Sequence, residues 1–281
     1  MIIAPYTPST PAEVIIPPGP HETVYVPFRS GIYKMPFDLS SSTNWAPGAN
    51  SSSPWICIDG DGTAYVTAMG YTGIAKMAKI PQAGVISDIS DAAMTSPRGV
   101  AIDSAGNLYI ADSTKVLKRS TAGVVTDLGF TGLSNPQGIA VDASGNVYVA
   151  DLSARKVYKK TPAGVQTTIT AAGLDYPKGL AFGPDGRLYV SCAYNPVASS
   201  KIIAVNLTTS TAVDLGFPTF AQVPGGVAVG SDGTVFTIEY AANSIVKAVN
   251  PALGLSWSGT FGNGGGNNSR IAGIAVGPPI S

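Results

Sequence analysis

The fold is decided by one stretch of the chain, Asn135 to Asp151, which reads NPQGIAVDASGNVYVAD. Gly138 to Asp142 is almost wholly apolar and predicts a short strand buried on both faces. Asn146 to Ala150 is rich in Val and Tyr, which pack well on a pleated surface. The residues between them include an Asp that can bond its own backbone and a Gly that tolerates positive φ. The stretch therefore predicts a β-hairpin.

The chain repeats this hairpin. The first strand recurs as PRGVA at 97–101, PQGIA at 136–140, PKGLA at 177–181 and PGGVA at 224–228, and a weaker copy at 54–66 has Ile56 where Gly belongs. The aromatic residue of the second strand sets the period; it falls at Tyr25, Tyr65, Tyr109, Tyr148, Tyr189 and Phe236, in steps of 40, 44, 39, 41 and 47 residues.

Two more strands are predicted in each unit. The third has an apolar-x-Lys pattern at Ile32–Lys34, Ile74–Lys76, Val116–Lys118, Val157–Lys159 and Ile245–Lys247, which Ile202–Ala204 breaks. A fourth ends most units, at 85–89, 124–128, 165–169, 212–215 and 255–258. Four short strands in a unit of roughly 40 residues are typical of a β-propeller blade.

The ends of the chain supply the blade count. Residues 272–277 copy a first strand and then stop, whereas residues 23–26 begin with a second strand. One blade is therefore expected to be composite, with strands from both ends, which also removes the exposed sheet edges of an open array. We predict an all-β, six-bladed propeller over residues 22–281, preceded by an extended arm at 1–21.

The pattern resembles the NHL-repeat propellers over residues 22–277. The Pro-x-Gly-apolar-Ala runs, followed by Gly and an aromatic residue, carry the resemblance. The Gly-x-Ala-x-Asp and Gly-Asn-x-Tyr-Val runs are similar to those of the extracellular sensor propeller of mycobacterial receptor kinases. The resemblance implies a fold and not a function, since propellers host unrelated activities.

Composition argues against several partners. The chain has 17 Lys and Arg and 17 Asp and Glu, so it lacks the excess positive charge that nucleic-acid binding requires. No apolar run approaches the ~18 residues of a membrane helix. Residues 1–20 lack a basic segment followed by an apolar core, so no signal peptide is predicted. Cys57 and Cys192 are predicted to be buried, unpaired thiols.

The arm, residues 1–20, contains six prolines and is expected to be extended. A solvated tail does not need the apolar side chains that it carries, which are Ile2, Ile3, Tyr6, Val14, Ile15 and Ile16. We expect these residues to dock on another protein chain of an assembly, because ordering so many residues requires buried apolar area.

No catalytic residue, cofactor or metal is predicted. Some six-bladed propellers are lactonases with calcium or lyases that use histidines and a metal, but this chain has one histidine, His21. Asp59, Asp103 and Asp142 recur at one repeat position and are expected to form turns. A second recurring set, Asp112, Asp151 and Glu239, is expected to accept hydrogen bonds from loops.

The remaining candidate site is a face built from the loops between second and third strands and the connections into first strands. Residues 38–53 are expected to be such a connection. Exposed aromatic residues there suit a sugar ring or a protein partner, although they also suit packing between loops. The candidate residues are Phe28, Arg29, Trp45, Tyr71, Arg155, Tyr176, Tyr194, Asn195, Phe220, Tyr240 and Asn243.

Three functions stay open on the sequence. The first is a non-catalytic binding module of a larger assembly, such as a phage tail or another virion component, that recognises a cell-surface glycan or protein. The second is the ligand-sensing propeller of a bacterial surface receptor. The third is a hydrolase or lyase, which the single histidine disfavours. We favour the first, with a location in a virion or outside the cell.

Overall fold

The structure is a computed structural model of the whole chain. It describes residues 22–28, 31–36, 39, 43–47, 55–67, 76–83, 85–194, 196–239, 245–260 and 274–277. Among these residues, no helix is long and apolar enough to cross a membrane.

The described residues form 24 strands in six four-stranded antiparallel sheets, which are the blades of a propeller. The first blade is composite and contains β1 (Thr23–Phe28), β2 (Gly31–Pro36), β3 (Thr43–Pro47) and β24 (Ala275–Gly277). The second and third contain β4 (Ile56–Ile58), β5 (Ala64–Thr67), β6 (Met77–Ile80), β7 (Ser87–Asp88), β8 (Pro97–Ile102), β9 (Leu108–Asp112), β10 (Lys115–Arg119) and β11 (Val125–Asp127).

The remaining blades follow in chain order. The fourth contains β12 (Pro136–Val141), β13 (Val147–Asp151), β14 (Lys156–Lys160) and β15 (Gln166–Ile169). The fifth contains β16 (Pro177–Phe182), β17 (Leu188–Cys192), a 3₁₀ turn (Val197–Ser199), β18 (Lys201–Asn206) and β19 (Thr211–Asp214). The sixth contains β20 (Pro224–Val229), β21 (Val235–Glu239), β22 (Ile245–Asn250) and β23 (Leu255–Thr260).

The predicted composite blade and the count of six are confirmed. Strand β24 pairs with β1 in antiparallel register, with Thr23 opposite Gly277 and Tyr25 opposite Ala275. The six first strands contact one another in a closed ring, in the order β4, β8, β12, β16, β20, β24 and back to β4. Both ends of the described chain thus complete one sheet.

The hydrophobic core lies between blades and not inside any one of them. Buried side chains form six clusters, and each cluster draws its residues from two neighbouring blades. The aromatic residue of the second strand is a member of these clusters; Tyr25, Tyr148 and Phe236 are at most 1% exposed. Apolar burial of this kind is the main favourable term in folding, so each blade depends on its two neighbours.

Two sequence predictions were wrong in detail. Residues 43–47 are not part of a connection but form β3, the outer strand of the composite blade. The third strand of the second blade is Met77–Ile80, so that Lys79, and not Lys76, lies opposite Tyr65. In the sixth blade Ile245–Lys247 lies in the third strand, as predicted, and Ala248 lies opposite Phe236. The error in the second blade is a shift by three residues, an odd number, which moves a side chain to the other face of the sheet.

Glycine in the Pro-x-Gly motif allows the first strands to approach backbone to backbone. A Cβ atom on Gly138 would lie 2.5 Å from the Lys178 carbonyl oxygen, and one on Gly99 would lie 2.2 Å from the Gln137 carbonyl oxygen. Real Cβ atoms do not approach backbone so closely, so any larger residue would push neighbouring blades apart.

We therefore expect Gly138→Ala to lower the free energy of unfolding by about 1–3 kcal/mol, the usual cost of overpacking. Gly60→Ala is the matched control, because a Cβ there meets nothing within 4 Å, and its effect should stay within about 0.5 kcal/mol. Urea unfolding of both variants measures the difference. Equal stabilities would contradict the proposed role of the glycine contact.

Candidate functional site

One end of the ring carries both the second-to-third loops and the connections into the first strands, as predicted. Pro97 lies opposite Asp112 and Pro136 lies opposite Asp151 in their registers, so each first strand begins where its second strand ends. We call this the connection end and the opposite one, with the turn at 142–146, the hairpin end.

Buried carboxylates fasten the connections at the connection end. Asp112 accepts hydrogen bonds from the backbone N–H groups of Thr95 (2.7 Å) and Ser96. Asp151 does the same for residues 134, 135 and 154, and Glu239 for residues 221 and 222. All three are at most 1% exposed. The predicted role as loop acceptors is confirmed.

The recurring aspartates at the hairpin end form turns, as predicted. Asp142 accepts hydrogen bonds from the backbone N–H groups of Ser144 (3.0 Å) and Asn146 (2.9 Å) and from the Tyr148 hydroxyl (3.0 Å). Asp59 and Asp103 make the equivalent contacts. In the described part of the chain, no group of three or more His, Cys, Asp or Glu side chains is placed to hold a metal ion.

Three predicted face residues come together where the fourth and fifth blades meet at the connection end. The Arg155 guanidinium lies 4.4 Å from the centroid of the Tyr176 ring, and the Tyr176 and Tyr194 rings meet edge to face with centroids 6.0 Å apart. Lys201 places its ammonium 5.4 Å from the Tyr194 centroid. We call these four residues, together with Asp175, the aromatic rim.

Polar contacts hold the aromatic rim in place. Arg155 donates from Nε to Asp175 Oδ1 (2.6 Å) and from Nη2 to Oδ2, and the paired guanidinium lowers the pKa of Asp175. The Tyr194 hydroxyl donates to the Gly173 carbonyl (2.8 Å). Burial raises the pKa of Tyr194 to about 12, and the neighbouring titratable groups of Cys192 and Asp175 add to the increase. The rim is consequently a rigid surface of aromatic faces flanked by cations.

The backbone at the rim is strained. Arg155 has φ of 58° and Tyr176 has φ of 46°, although neither is glycine. Positive φ is rare for bulky residues, costs of the order of 1–3 kcal/mol, and concentrates at functional sites. Two such residues in direct contact make this part of the surface a candidate functional site.

Of the other predicted face residues, the structure describes the side chain of Phe220, which lies outside the rim. The prediction that Phe220 is exposed on this face was wrong. Its side chain is 3% exposed, stacks on Phe217 and lies beneath the Lys247 ammonium, so it belongs to the core between blades. Phe28 ends β1 and Trp45 lies in β3. The remaining candidates and the arm lie outside the described residues, namely Arg29, Tyr71, Asn195, Tyr240 and Asn243, and Ile2, Ile3, Tyr6, Val14, Ile15 and Ile16.

The sequence reasoning missed a polar cluster on the inner strands. Arg98 donates from Nη1 to Asn135 Oδ1 (2.7 Å), and the Gln137 amide donates to the same oxygen (2.7 Å). Lys178 occupies the same motif position one blade further on and is 9% exposed. The sequence does mark these positions, since Arg98, Gln137 and Lys178 each occupy the x of a Pro-x-Gly motif. Burial lowers the pKa of Lys178 to about 7.

Both cysteines are free, as predicted. Cys192 is buried, while Cys57 is partly exposed and not fully buried as predicted. Burial raises the pKa of the Cys192 thiol to about 11, so the thiol is protonated and a poor nucleophile at neutral pH.

Comparisons with known proteins agree with this geometry. A chain of the nidogen/laminin complex superposes with a TM-score of 0.75 at 19% identity, covering 91% of this chain and 98% of that chain. Streptogramin B lyase gives 0.62 at 14% identity, covering 89% and 86%. TolB from Acinetobacter baumannii gives 0.73 at 9% identity, covering 92% and 67%. At these identities the similarity shows the fold alone. No curated protein sequence matches the chain.

The fold and the superpositions define a six-bladed β-propeller. The family model described as NHL repeat matches residues 133–156, the stretch that carries the clearest copy of the hairpin. This match and the six-bladed fold confirm the resemblance to NHL-repeat propellers that the sequence shows.

Lys178 makes stability depend on pH. Its pKa falls from an ordinary 10.5 to about 7 in the folded state, so between these values the unfolded chain holds more protons. Stability attributable to this residue must then rise with pH from about 7 to 10.5. We expect the unfolding free energy of the wild type to increase relative to that of Lys178→Met as the pH rises through this window. A constant difference between the two proteins would show that the lysine is not perturbed.

Proposed function

We propose that this chain is a non-catalytic, protein-binding module of a larger assembly, that the assembly is a phage tail or another virion component, and that it works outside the cell. The single observation that carries the binding role is the contact between Arg155 and Tyr176, two strained residues held together on the surface. The virion assignment rests on the arm and on the composition.

The aromatic rim has the chemistry of a protein-binding surface. Tyr and Arg are enriched at interfaces and among the residues that dominate binding energy. The rim residues lose little entropy on binding, because the ion pair with Asp175 and the bond from Tyr194 to Gly173 already fix them. The neighbouring nidogen/laminin structure is itself a protein complex, which is consistent with a protein partner.

The absence of catalysis is supported by how the acidic residues are used. The buried carboxylates of Asp112 and Asp151 accept backbone hydrogen bonds, and that of Glu239 also pairs with Lys247 at 2.7 Å. Groups fixed in this way are poor general bases, because a proton would displace an existing donor. The one histidine, His21, lies outside the described residues.

Arg155→Gly and Tyr176→Gly separate binding from stability. Glycine adopts positive φ without strain, so the relief of backbone strain offsets part of the stability lost with the side chain. For the half-exposed Arg155 the net change in stability should be small. Partner affinity should fall by about 2 kcal/mol, or roughly 30-fold. Ser210→Gly is the matched control, since it relieves a φ of 56° in an exposed turn at the hairpin end.

Affinity capture from extracts of the source organism, followed by cross-linking, measures this. The expected partner is a protein that cross-links to the rim, is retained by wild type and Ser210→Gly, and is lost with both rim variants. A partner captured equally by all four proteins would refute the proposal that the aromatic rim binds it. Binding to a glycan array with the same variant profile would reassign the ligand as a sugar.

Deletion of residues 1–18 tests the assembly role of the arm. The truncated chain should remain a cooperatively folding propeller, because the ring closes through the pairing of β1 with β24, but it should no longer assemble. Sedimentation of the wild type and the truncation compares their masses. If the truncation keeps the native oligomeric state, or if the wild type is itself a monomer, the arm does not mediate assembly and the sensor alternative gains support.

A further inference from the structure

A cleft of about 370 Å³ opens at the hairpin end between the third and fourth blades. Its third-blade wall contains Asp103, Tyr109 and Lys118, and its fourth-blade wall contains Val147, Lys160 and Pro162. The cleft lies at the opposite end of the ring from the aromatic rim and is independent of the function proposed above. Its volume falls within the range of small-molecule sites.

The next interface along the ring shows why this cleft exists. In the fifth blade Leu188, Val205 and Leu207 occupy the positions that Val147, Lys160 and Pro162 hold in the fourth. Those three apolar side chains pack into the core shared with the fourth blade. The fourth blade has a shorter side chain, a cation and a proline at these positions, and a cavity is left against Tyr109.

The charge of the cleft is positive. Lys118 holds its ammonium 5.3 Å from the Tyr109 centroid, and Lys160 donates to the Gly129 carbonyl (2.6 Å). Within the described residues neither ammonium forms an ion pair with a carboxylate. Asp103, the one acidic residue of the wall, already accepts bonds from Asn107 and from the Tyr109 hydroxyl. Two cations therefore face the space, while the acidic oxygens are occupied.

The interface between the fourth and fifth blades shows which kind of group packs well against the second-strand tyrosine. Between the fourth and fifth blades, the Phe182 ring meets the Tyr148 ring edge to face, with centroids 5.1 Å apart. The equivalent pair between the third and fourth blades is Val141 and Tyr109, which lacks the second ring. A planar apolar body placed against Tyr109 would make the contact that Phe182 makes next door.

We propose that this cleft binds a small aromatic carboxylate, with the ring against Tyr109 and Pro162 and the carboxylate between the ammonium groups of Lys118 and Lys160. Charge-assisted hydrogen bonds from two lysines favour an anion over its neutral amide. The apolar wall favours a ring over a free inorganic anion.

Titration of the full-length protein with three acids, benzoate, phenylacetate and indole-3-acetate, tests the site at constant ionic strength. Backbone NMR of Tyr109, Val147 and Lys160 should report saturable binding of at least one acid. The matching amide should bind at least about tenfold more weakly, as expected when an ammonium–carboxylate pair is lost. No saturable shift from any of the three acids, or equal binding of acid and amide, would overturn the proposal.

Variants localise the binding. Lys160→Val with Pro162→Leu copies the packing of the next interface and should abolish the shifts. Lys118→Met should weaken binding at least about tenfold and serves as the second test if the double variant does not fold. Lys159→Met removes the lysine over Tyr148 at the neighbouring interface and should leave the affinity unchanged. Unchanged affinity in Lys118→Met, or loss of affinity in Lys159→Met, would contradict the assignment.

Discussion

The rest of the structure depends on backbone contact between neighbouring first strands. Gly99, Gly138 and Gly179 each place a bare Cα against the next blade, at distances that exclude a side chain. This contact sets the radius of the ring, and the radius decides how closely the aromatic residues of the second strands can pack between blades. In the described chain this contact joins the third to the fourth, the fourth to the fifth and the fifth to the sixth blade, and the interblade cores there pack around it.

Several blades carry similar polar contacts at their two ends. At the hairpin end a turn aspartate, a tyrosine hydroxyl and a cross-strand lysine form a unit seen in the third and fourth blades. At the connection end a buried acid holds the incoming chain. These groups satisfy backbone donors that would otherwise be buried without partners, which is costly. The third and fourth blades therefore share the same polar contacts at both ends.

The ring, the blade count and the composite blade could be predicted, because short motifs at a fixed period encode them locally. Whether an individual aromatic side chain is buried or exposed could not be predicted. Phe220 has the sequence context of a loop residue, but it is buried by Phe217 and Lys247. The position of Lys247 depends on the register of β22. The rim required two residues with positive φ to meet across blades, a relation that no local pattern records. Prediction thus succeeded for the scaffold. At the candidate site, the structure brings Arg155, Tyr176 and Tyr194 together, and their role in binding stays a prediction.

The composite blade has a consequence for biosynthesis. Every other sheet consists of strands consecutive in the chain, so it can form as soon as its segment leaves the ribosome. Strand β1 must wait for β24, some 250 residues later by the numbering of their pairing. Throughout translation the growing ring therefore keeps an unpaired strand edge and a bare interblade face, which are surfaces prone to aggregation. Individual blades can fold early, but the ring can close only after β24 has been synthesised. We therefore expect the growing chain to depend on chaperones during synthesis.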